Sequence, residues 1–154
     1  MKLARLAIAL AAVSVVVVIG GYLAAKPAAA PVSALRPQVR TVEVKGEAIR
    51  VEVADTESTR ERGLSGRSGL AADEGMLFIF PDDGEYPFWM KDMLFSIDMV
   101  WISADGKVVY MALNVSPDTY PQVFRPEVPA RYVLELPSGY AREHGIRIGD
   151  IVRL

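Results

Sequence analysis

Apolar and polar side chains alternate with a period of two residues from Val42 onward, and this feature constrains the fold most strongly. The apolar positions of the alternation are Val42, Val44, Ile49, Val51 and Val53. Successive side chains of a β-strand point to opposite faces, so this period predicts two strands with one buried and one solvated face. The break at Lys45–Glu47 predicts a hairpin between them.

Later apolar segments are also short. Met76–Phe80 is a continuous apolar run that predicts a strand buried on both faces, and Tyr132–Leu136 predicts another strand. An Asp-Gly pair at 105–106 separates the apolar segments Phe95–Ile102 and Lys107–Ala112. Because Asp-Gly favours tight turns, these two segments are predicted to form a second hairpin.

Two short helices are predicted among the strands. Thr56 or Ser58 can cap a helix that ends at Gly63, and Ser58 and Glu61 have the spacing of a capping box. A second helical turn is predicted over Tyr140–His144, where the histidine interacts favourably with the helix dipole.

Residues 114–130 carry four prolines and predict a loop of unusual length, and such loops are often functional. A last strand is predicted over 146–154. Seven or more short strands with two small helices predict a mainly β domain, either a β-sandwich or a distorted barrel.

A hydrophobic segment precedes this domain. Leu6–Ala25 has no charged residue and follows Lys2 and Arg5, which is the pattern of an export signal. The segment is also long enough for a helix that crosses a hydrocarbon core of ~30 Å. Positive residues stay in the cytoplasm in both cases. The protein is therefore predicted to be exported to a periplasmic or other extracytoplasmic location, either secreted or anchored by residues 6–25.

The chain divides into three parts on this reading. Residues 1–25 are a signal peptide or membrane anchor helix, residues 26–38 are a tether rich in proline and alanine, and residues 39–154 are one β-rich domain. From Arg36 to the C-terminus there are 14 basic and 19 acidic side chains, a net charge of −5. A mildly acidic domain without a basic cluster is a poor candidate for nucleic-acid binding, so no nucleic-acid partner is predicted.

Several kinds of chemistry are excluded or disfavoured by the residues present. The chain has no cysteine and one histidine, which excludes cysteine-based metal sites, thiol nucleophiles and disulfides. No phosphate-binding glycine motif occurs. The acidic stretch 82–85 lacks the alternation of a calcium loop. No metal, cofactor or catalytic residue is predicted.

The stretch 86–98 is the most informative for function. Trp89 and Met90 are followed at once by Lys91 and Asp92, so apolar and charged side chains lie within a few residues. One interpretation is that Trp89 and Met93 plug one end of the domain while Lys91 and Asp92 lie in water. The other is that Trp89 and Lys91 line a pocket, where the ring stacks on a ligand and the amine binds an anionic or hydroxyl-rich group.

Two carboxylates occur in apolar surroundings. Asp98 lies within a run of apolar residues, and a buried carboxylate is costly unless it is paired, with Arg62, Arg67 or Lys91 as candidate partners. Glu135 poses the same problem, although the alternation could point it outward. The candidate ligand-binding set is Arg62, Arg67, Trp89, Lys91, Asp92, Asp98 and Glu135.

The order of several motifs resembles the family called domain of unknown function 192. The motifs are Thr59–Leu64 with Arg67, Gly75–Phe80, Phe88–Lys91, Ile97-Asp98, Leu134–Gly139 and Gly149-Asp150. The resemblance implies an all-β, jelly-roll-like domain that is often exported and has no established activity. The chain departs from the family pattern at Ser65, where methionine is usual, and at Asp92-Met93, where Asn-Thr is usual. It also lacks the cysteine that the family often has in the proline-rich loop.

Three functions remain open at this point. The first is a non-catalytic module of the cell envelope that binds a saccharide, another polyol or a small polar ligand. The second is a hydrolase acting on envelope material through a carboxylate pair, Asp98 and Glu135. The third is an accessory protein whose apolar residues Tyr120, Val123 and Phe124 dock on a membrane or envelope complex.

Overall fold

The structure is a computed structural model, and it describes residues 38–154. This part of the chain forms seven β-strands and two short α-helices. The strands are β1 (Gln38–Val44), β2 (Glu47–Ala54), β3 (Glu74–Gly84), β4 (Ile97–Ile102), β5 (Val108–Val115), β6 (Ala130–Pro137) and β7 (Val152–Arg153). The helices are α1 (Glu57–Arg62), between β2 and β3, and α2 (Tyr140–Glu143), between β6 and β7.

All seven strands belong to one sheet. Its order is β5-β4-β6-β3-β2-β1-β7. The β2–β3 pair is parallel, with α1 in the connection, and every other neighbouring pair in this sheet is antiparallel. The prediction of a mainly β domain is confirmed. The sandwich alternative is wrong for the described residues, because their strands form one curled sheet instead of two facing sheets.

The two edges of the sheet meet at one end. Lys107, just before β5, pairs with Ile151, just before β7, in an antiparallel bridge. Val152 N–H donates to Gly106 O over 2.8 Å, and Val108 N–H donates to Asp150 O over 2.9 Å. These bonds close the curled sheet at that end, which gives it the character of a half-open barrel.

Alternation along the strands creates two buried layers. Leu77, Val100 and Leu134 point to the inner face of the curled sheet, where α2 also packs. Phe78 and Trp101 point to the outer face, which is covered by the segment around Phe88–Phe95 and by part of the proline-rich loop. The first part of strand β3, residues 75–78, is therefore buried on both faces, as its apolar run predicts.

Most predicted elements are present, with shifted boundaries. Both predicted hairpins form, β1–β2 and β4–β5. The strand β3 runs on to Gly84, beyond the predicted stop, and the last strand is only two residues long. The cap of α1 is Thr56, whose box partner is Thr59 rather than the predicted Ser58 and Glu61 pair, because the helix begins one residue earlier than Ser58. The proline-rich loop has one short 3-10 turn, Pro117–Thr119.

The predicted signal or anchor helix, Leu6–Ala25, lies outside the described residues. Among residues 38–154, no helix is long and apolar enough to cross a membrane.

Candidate functional site

A cleft of about 680 Å³ lies on the outer face of the sheet. One wall is α1 and the turn after it, residues 60–65, and the opposite wall comes from the segment Pro87–Met93. Strand β3 contributes Phe78 and Phe80, and strand β6 contributes Glu135. The size is within the range of roughly 300–1,000 Å³ that is typical of small-molecule sites.

Hydrogen bonds to backbone carbonyls fix the two walls relative to each other. Ser65 Oγ donates to Lys91 O over 3.1 Å, and Gly66 N–H donates to Asp92 O over 2.8 Å. Asp92 has a φ of 56°, a left-handed conformation that aspartate tolerates better than most residues. The turn after α1 is thereby held against the turn that carries Lys91 and Asp92.

The residue that most distinguishes this cleft is Glu135. Its side chain is 5% exposed, and its Oε2 atom is buried without a hydrogen-bond partner. Burial raises the pKa of Glu135 to about 8, and the charge of Arg67 offsets only part of this effect. At neutral pH the group is therefore mostly a neutral carboxylic acid, which can both donate and accept a hydrogen bond.

The register of the sheet explains why Arg67 influences Glu135 without pairing with it. Glu52, Met76 and Glu135 are neighbours across β2, β3 and β6, with Met76 between the two acids. Arg67 donates two hydrogen bonds to Glu52, of 2.7 and 2.6 Å, and these lower the pKa of Glu52. Arg67 does not line the cleft; its guanidinium is held by the acid on β2.

Four of the residues singled out from the sequence lie at the rim of the cleft. Trp89 lines it and is 55% exposed, and Arg62, Lys91 and Asp92 are exposed lining residues. Within residues 38–154, neither Arg62 nor Lys91 has an acidic group within 4.0 Å. The exposure of Trp89 contradicts the interpretation that it plugs the domain, whereas Met93 is buried.

Asp98 is not part of this cleft. It lies on β4 with Val100 and Ile102, on the inner face of the sheet, and is fully buried. One carboxylate oxygen accepts from Asn114 N–H over 2.8 Å, and the other accepts from Ala141 N–H in the first turn of α2 over 2.9 Å. The prediction of a basic partner for Asp98 is wrong, because backbone N–H groups satisfy it.

Asp98 and Glu135 therefore lie on opposite faces of the sheet. Glu135 is paired with Met99, the residue next to Asp98, and neighbouring residues of a strand point to opposite faces. The carboxylate pair that the hydrolase hypothesis requires does not form.

The aromatic walls were missed by the sequence reasoning. Phe78 and Phe88 meet edge to face with ring centres 4.9 Å apart, and the Arg60 guanidinium lies 5.3 Å from the centre of the Phe80 ring. Arg60 also donates to Ile79 O over 2.9 Å, so its charge is engaged in holding α1 on the sheet. The lateral register of β3 and β6 places Phe78 near Glu135, and the sequence contains no signal for that register.

The remaining candidates lie elsewhere. In the acidic stretch, Asp83 pairs with Arg131 Nε at 2.7 Å. No group of three or more His, Cys, Asp or Glu side chains within residues 38–154 is arranged to hold a metal ion. His144 ends α2, stacks on Tyr140 with ring centres 4.0 Å apart, and has Nδ1 3.7 Å from Glu47 Oε1.

Comparison with known proteins gives the family. Residues 40–154 match the model of DUF192, the domain of unknown function 192, which is described as an uncharacterized ACR. The chain belongs to the DUF192 family. The resemblance of its motifs is therefore confirmed over nearly the whole described domain.

Similar DUF192-like proteins leave the activity open. A UPF0127 protein of Thermococcus gammatolerans is 30% identical over 104 residues, which are 66% of this chain and 64% of that protein. A solved structure of a protein of unknown function from Novosphingobium aromaticivorans is 32% identical, with a TM-score of 0.73, covering 85% of this chain and 94% of that one. A structure from Sinorhizobium meliloti, 31% identical with a TM-score of 0.72, covers 76% and 94% and is proposed to be a transcription regulator.

Proposed function

We propose that this DUF192 domain is a non-catalytic binding module whose cleft holds a saccharide or another polyol. The observation that carries the proposal is the carboxyl group of Glu135, which lines the cleft and is buried with Oε2 unpartnered. A buried polar atom without a hydrogen bond costs stability, so a site that keeps one usually gains from it in a bound state.

The protonation state of Glu135 favours a neutral hydroxyl ligand. Because its pKa is about 8, the group is mostly uncharged at neutral pH and needs no counter-ion. A carboxylic acid and a hydroxyl each donate and accept, so they can satisfy one another without burying a charge. An anionic ligand group would instead be bound at the rim, where Arg62 and Lys91 lie.

The walls fit the same class of ligand. Phe88 and Trp89 present apolar ring surface to the cleft, and the C–H faces of a sugar ring can pack on such surfaces. A few polar groups among apolar walls is the usual composition of a small-molecule site.

A nucleic-acid role receives no such support. The Sinorhizobium meliloti relative is proposed to be a transcription regulator, but this domain is net acidic and its cleft is lined by both signs of charge. Binding to a phosphate backbone depends on clustered Lys and Arg side chains.

The proposal includes an extracytoplasmic location, which rests on the apolar segment Leu6–Ala25 and the two basic residues before it. Alkaline phosphatase fused after residue 154 becomes active only if it is exported. Activity in intact cells is the expected result, and an inactive fusion protein that accumulates in the cytoplasm would contradict this part of the proposal.

Binding is tested by titration calorimetry at pH 7. The panel contains glucose, N-acetylglucosamine, glucuronate, disaccharides of these three sugars, and inositol. At least one member is expected to bind. Glu135→Leu, which removes the hydrogen-bonding group, should abolish binding, and Glu135→Gln should retain it because an amide also donates and accepts. Glu61→Leu is the matched control, since Glu61 is an exposed acid of the same cleft.

The pH dependence adds a second criterion. Above pH 8, Glu135 loses its proton and with it the ability to donate, so wild-type affinity should fall there while Glu135→Gln stays constant. The proposal fails if no panel member binds, or if Glu135→Leu binds as well as the wild type.

A further inference from the structure

We infer that the ligand is an oligosaccharide, and that its second unit stacks on an aromatic platform outside the cleft formed by Trp89 and Tyr120. This inference rests on the proposed function, because it names the kind of saccharide that the cleft takes. Two large aromatic side chains are exposed to solvent at this place: Trp89 is 55% exposed and Tyr120 is 47% exposed.

The two rings contact each other. Their centres lie 6.4 Å apart, with the planes at 82°, which is an edge-to-face contact. Trp89 lines the cleft, whereas Tyr120 does not. The aromatic surface therefore continues from the cleft wall outward, and Trp89 belongs to both parts.

The platform is held in place by the backbone. Phe88 and Phe124 exchange two hydrogen bonds of 2.8 Å, which fasten the proline-rich loop to the segment that carries Trp89. Tyr120 N–H donates to Pro117 O over 3.2 Å and so ends the 3-10 turn of that loop. A surface that is ordered before binding loses little conformational entropy when a ligand is bound.

The position of the platform selects a longer ligand. A saccharide unit that reaches Glu135 lies in the cleft, and a unit joined to it can extend past Trp89 toward Tyr120. The volume of about 680 Å³ also exceeds what a single sugar ring fills, since clefts of this size hold drug-sized ligands. Contiguous exposed aromatic surface next to a cleft is typical of a binding surface.

The test is affinity as a function of ligand length. Chito-, cello-, malto- and oligogalacturonate saccharides of one to four units are titrated against the domain. Tryptophan fluorescence with acrylamide quenching is the readout. The chain has two tryptophans, and Trp101 is buried, so quenching reports on Trp89. In the series that binds, affinity should rise about tenfold from one unit to two or three, and Trp89 should become protected.

Two variants in the proline-rich loop test whether Tyr120 causes the rise in affinity with ligand length. Tyr120→Ala should remove the rise in affinity with ligand length. The affinity for a single unit should stay unchanged, because Tyr120, unlike Trp89, lies outside the cleft. Val123→Ala is the matched control, since Val123 is 48% exposed on the same loop. It should retain the rise, and circular dichroism should show both variants folded.

The outcomes separate the two proposals. Affinity that does not depend on length, or a rise that Tyr120→Ala leaves intact, overturns the oligosaccharide inference while single-unit binding still supports the proposed function. In that case the platform would belong to another class of partner, such as a protein. Absence of binding at every length in every series overturns both.

Discussion

Replacing Glu135 by glutamine should make the stability of the domain much less dependent on pH. The perturbation removes the one carboxyl group within residues 38–154 whose pKa is raised as far as about 8, and it leaves the size of the side chain almost unchanged. Glutamine is neutral throughout, so it avoids the cost of burying a charge.

The magnitude follows from the two protonation equilibria. In the unfolded chain the group titrates near 4.5, and in the folded domain it titrates near 8. Between these values the folded state holds a proton that the unfolded state has lost. The contribution of Glu135 to stability is therefore greatest below about pH 4.5 and is lost as the pH rises toward 8. At about 1.4 kcal/mol per pH unit, the loss between pH 5 and pH 8 is about 4 kcal/mol.

Urea denaturation at pH 5, 6, 7, 8 and 9 measures this difference. The free energies of unfolding of wild type and Glu135→Gln should be within about 1 kcal/mol of each other at pH 5 and should then diverge, with the variant more stable at pH 8. Glu61→Gln, at an exposed acid of the same cleft, should follow the wild type. Parallel curves for wild type and Glu135→Gln would refute the reasoning that Glu135 is buried and unpaired.

Three further comparisons of variants test the architecture by thermal and urea denaturation. Asp98→Ala leaves the buried N–H of Ala141 and the partly buried N–H of Asn114 without their acceptor and should cost at least about 2 kcal/mol; a loss near zero would mean that Asp98 is not their acceptor. Trp101→Ala should cost about 3–5 kcal/mol, whereas Trp89→Ala should cost under about 1 kcal/mol, and equal losses would restore Trp89 to a packing role. Gly106→Ala places a Cβ 2.7 Å from the carbonyl oxygen of Val152 in β7. It should therefore cost about 1–3 kcal/mol more than Gly46→Ala, because Gly46 has a similar φ but open space around it. Equal costs would show that the bonds closing the sheet contribute little.

The sequence predicts the strands well because burial of one face of a strand requires an apolar residue at every second position. The alternation from Val42 to Val53 and the apolar run of β3 both have their counterparts in the sheet. The Asp-Gly pair at 105–106 likewise predicted the β4–β5 hairpin, where Gly106 adopts a φ of 83°.

The site is harder to predict because it depends on contacts between distant segments. One partner of Asp98 is the N–H of Ala141, 43 residues later, and a backbone donor has no sequence signature. Alternation places Glu135 on the outer face, which a lone sheet would expose to water. Its burial depends on the α1 turn and the segment Pro87–Met93, which cover that face, and on the lateral order of the strands.

NMR can show directly whether Glu135 binds the ligand. The carboxyl 13C shift of Glu135 is followed at pH 7 while the saccharides and polyols of the panel are added. A ligand that hydrogen-bonds to this group must change its shift and its apparent pKa. We expect a saturable change for Glu135 with at least one compound, and a much smaller one for Glu61 at the rim. A Glu135 signal that stays unchanged with every compound would contradict the claim that this group anchors the ligand.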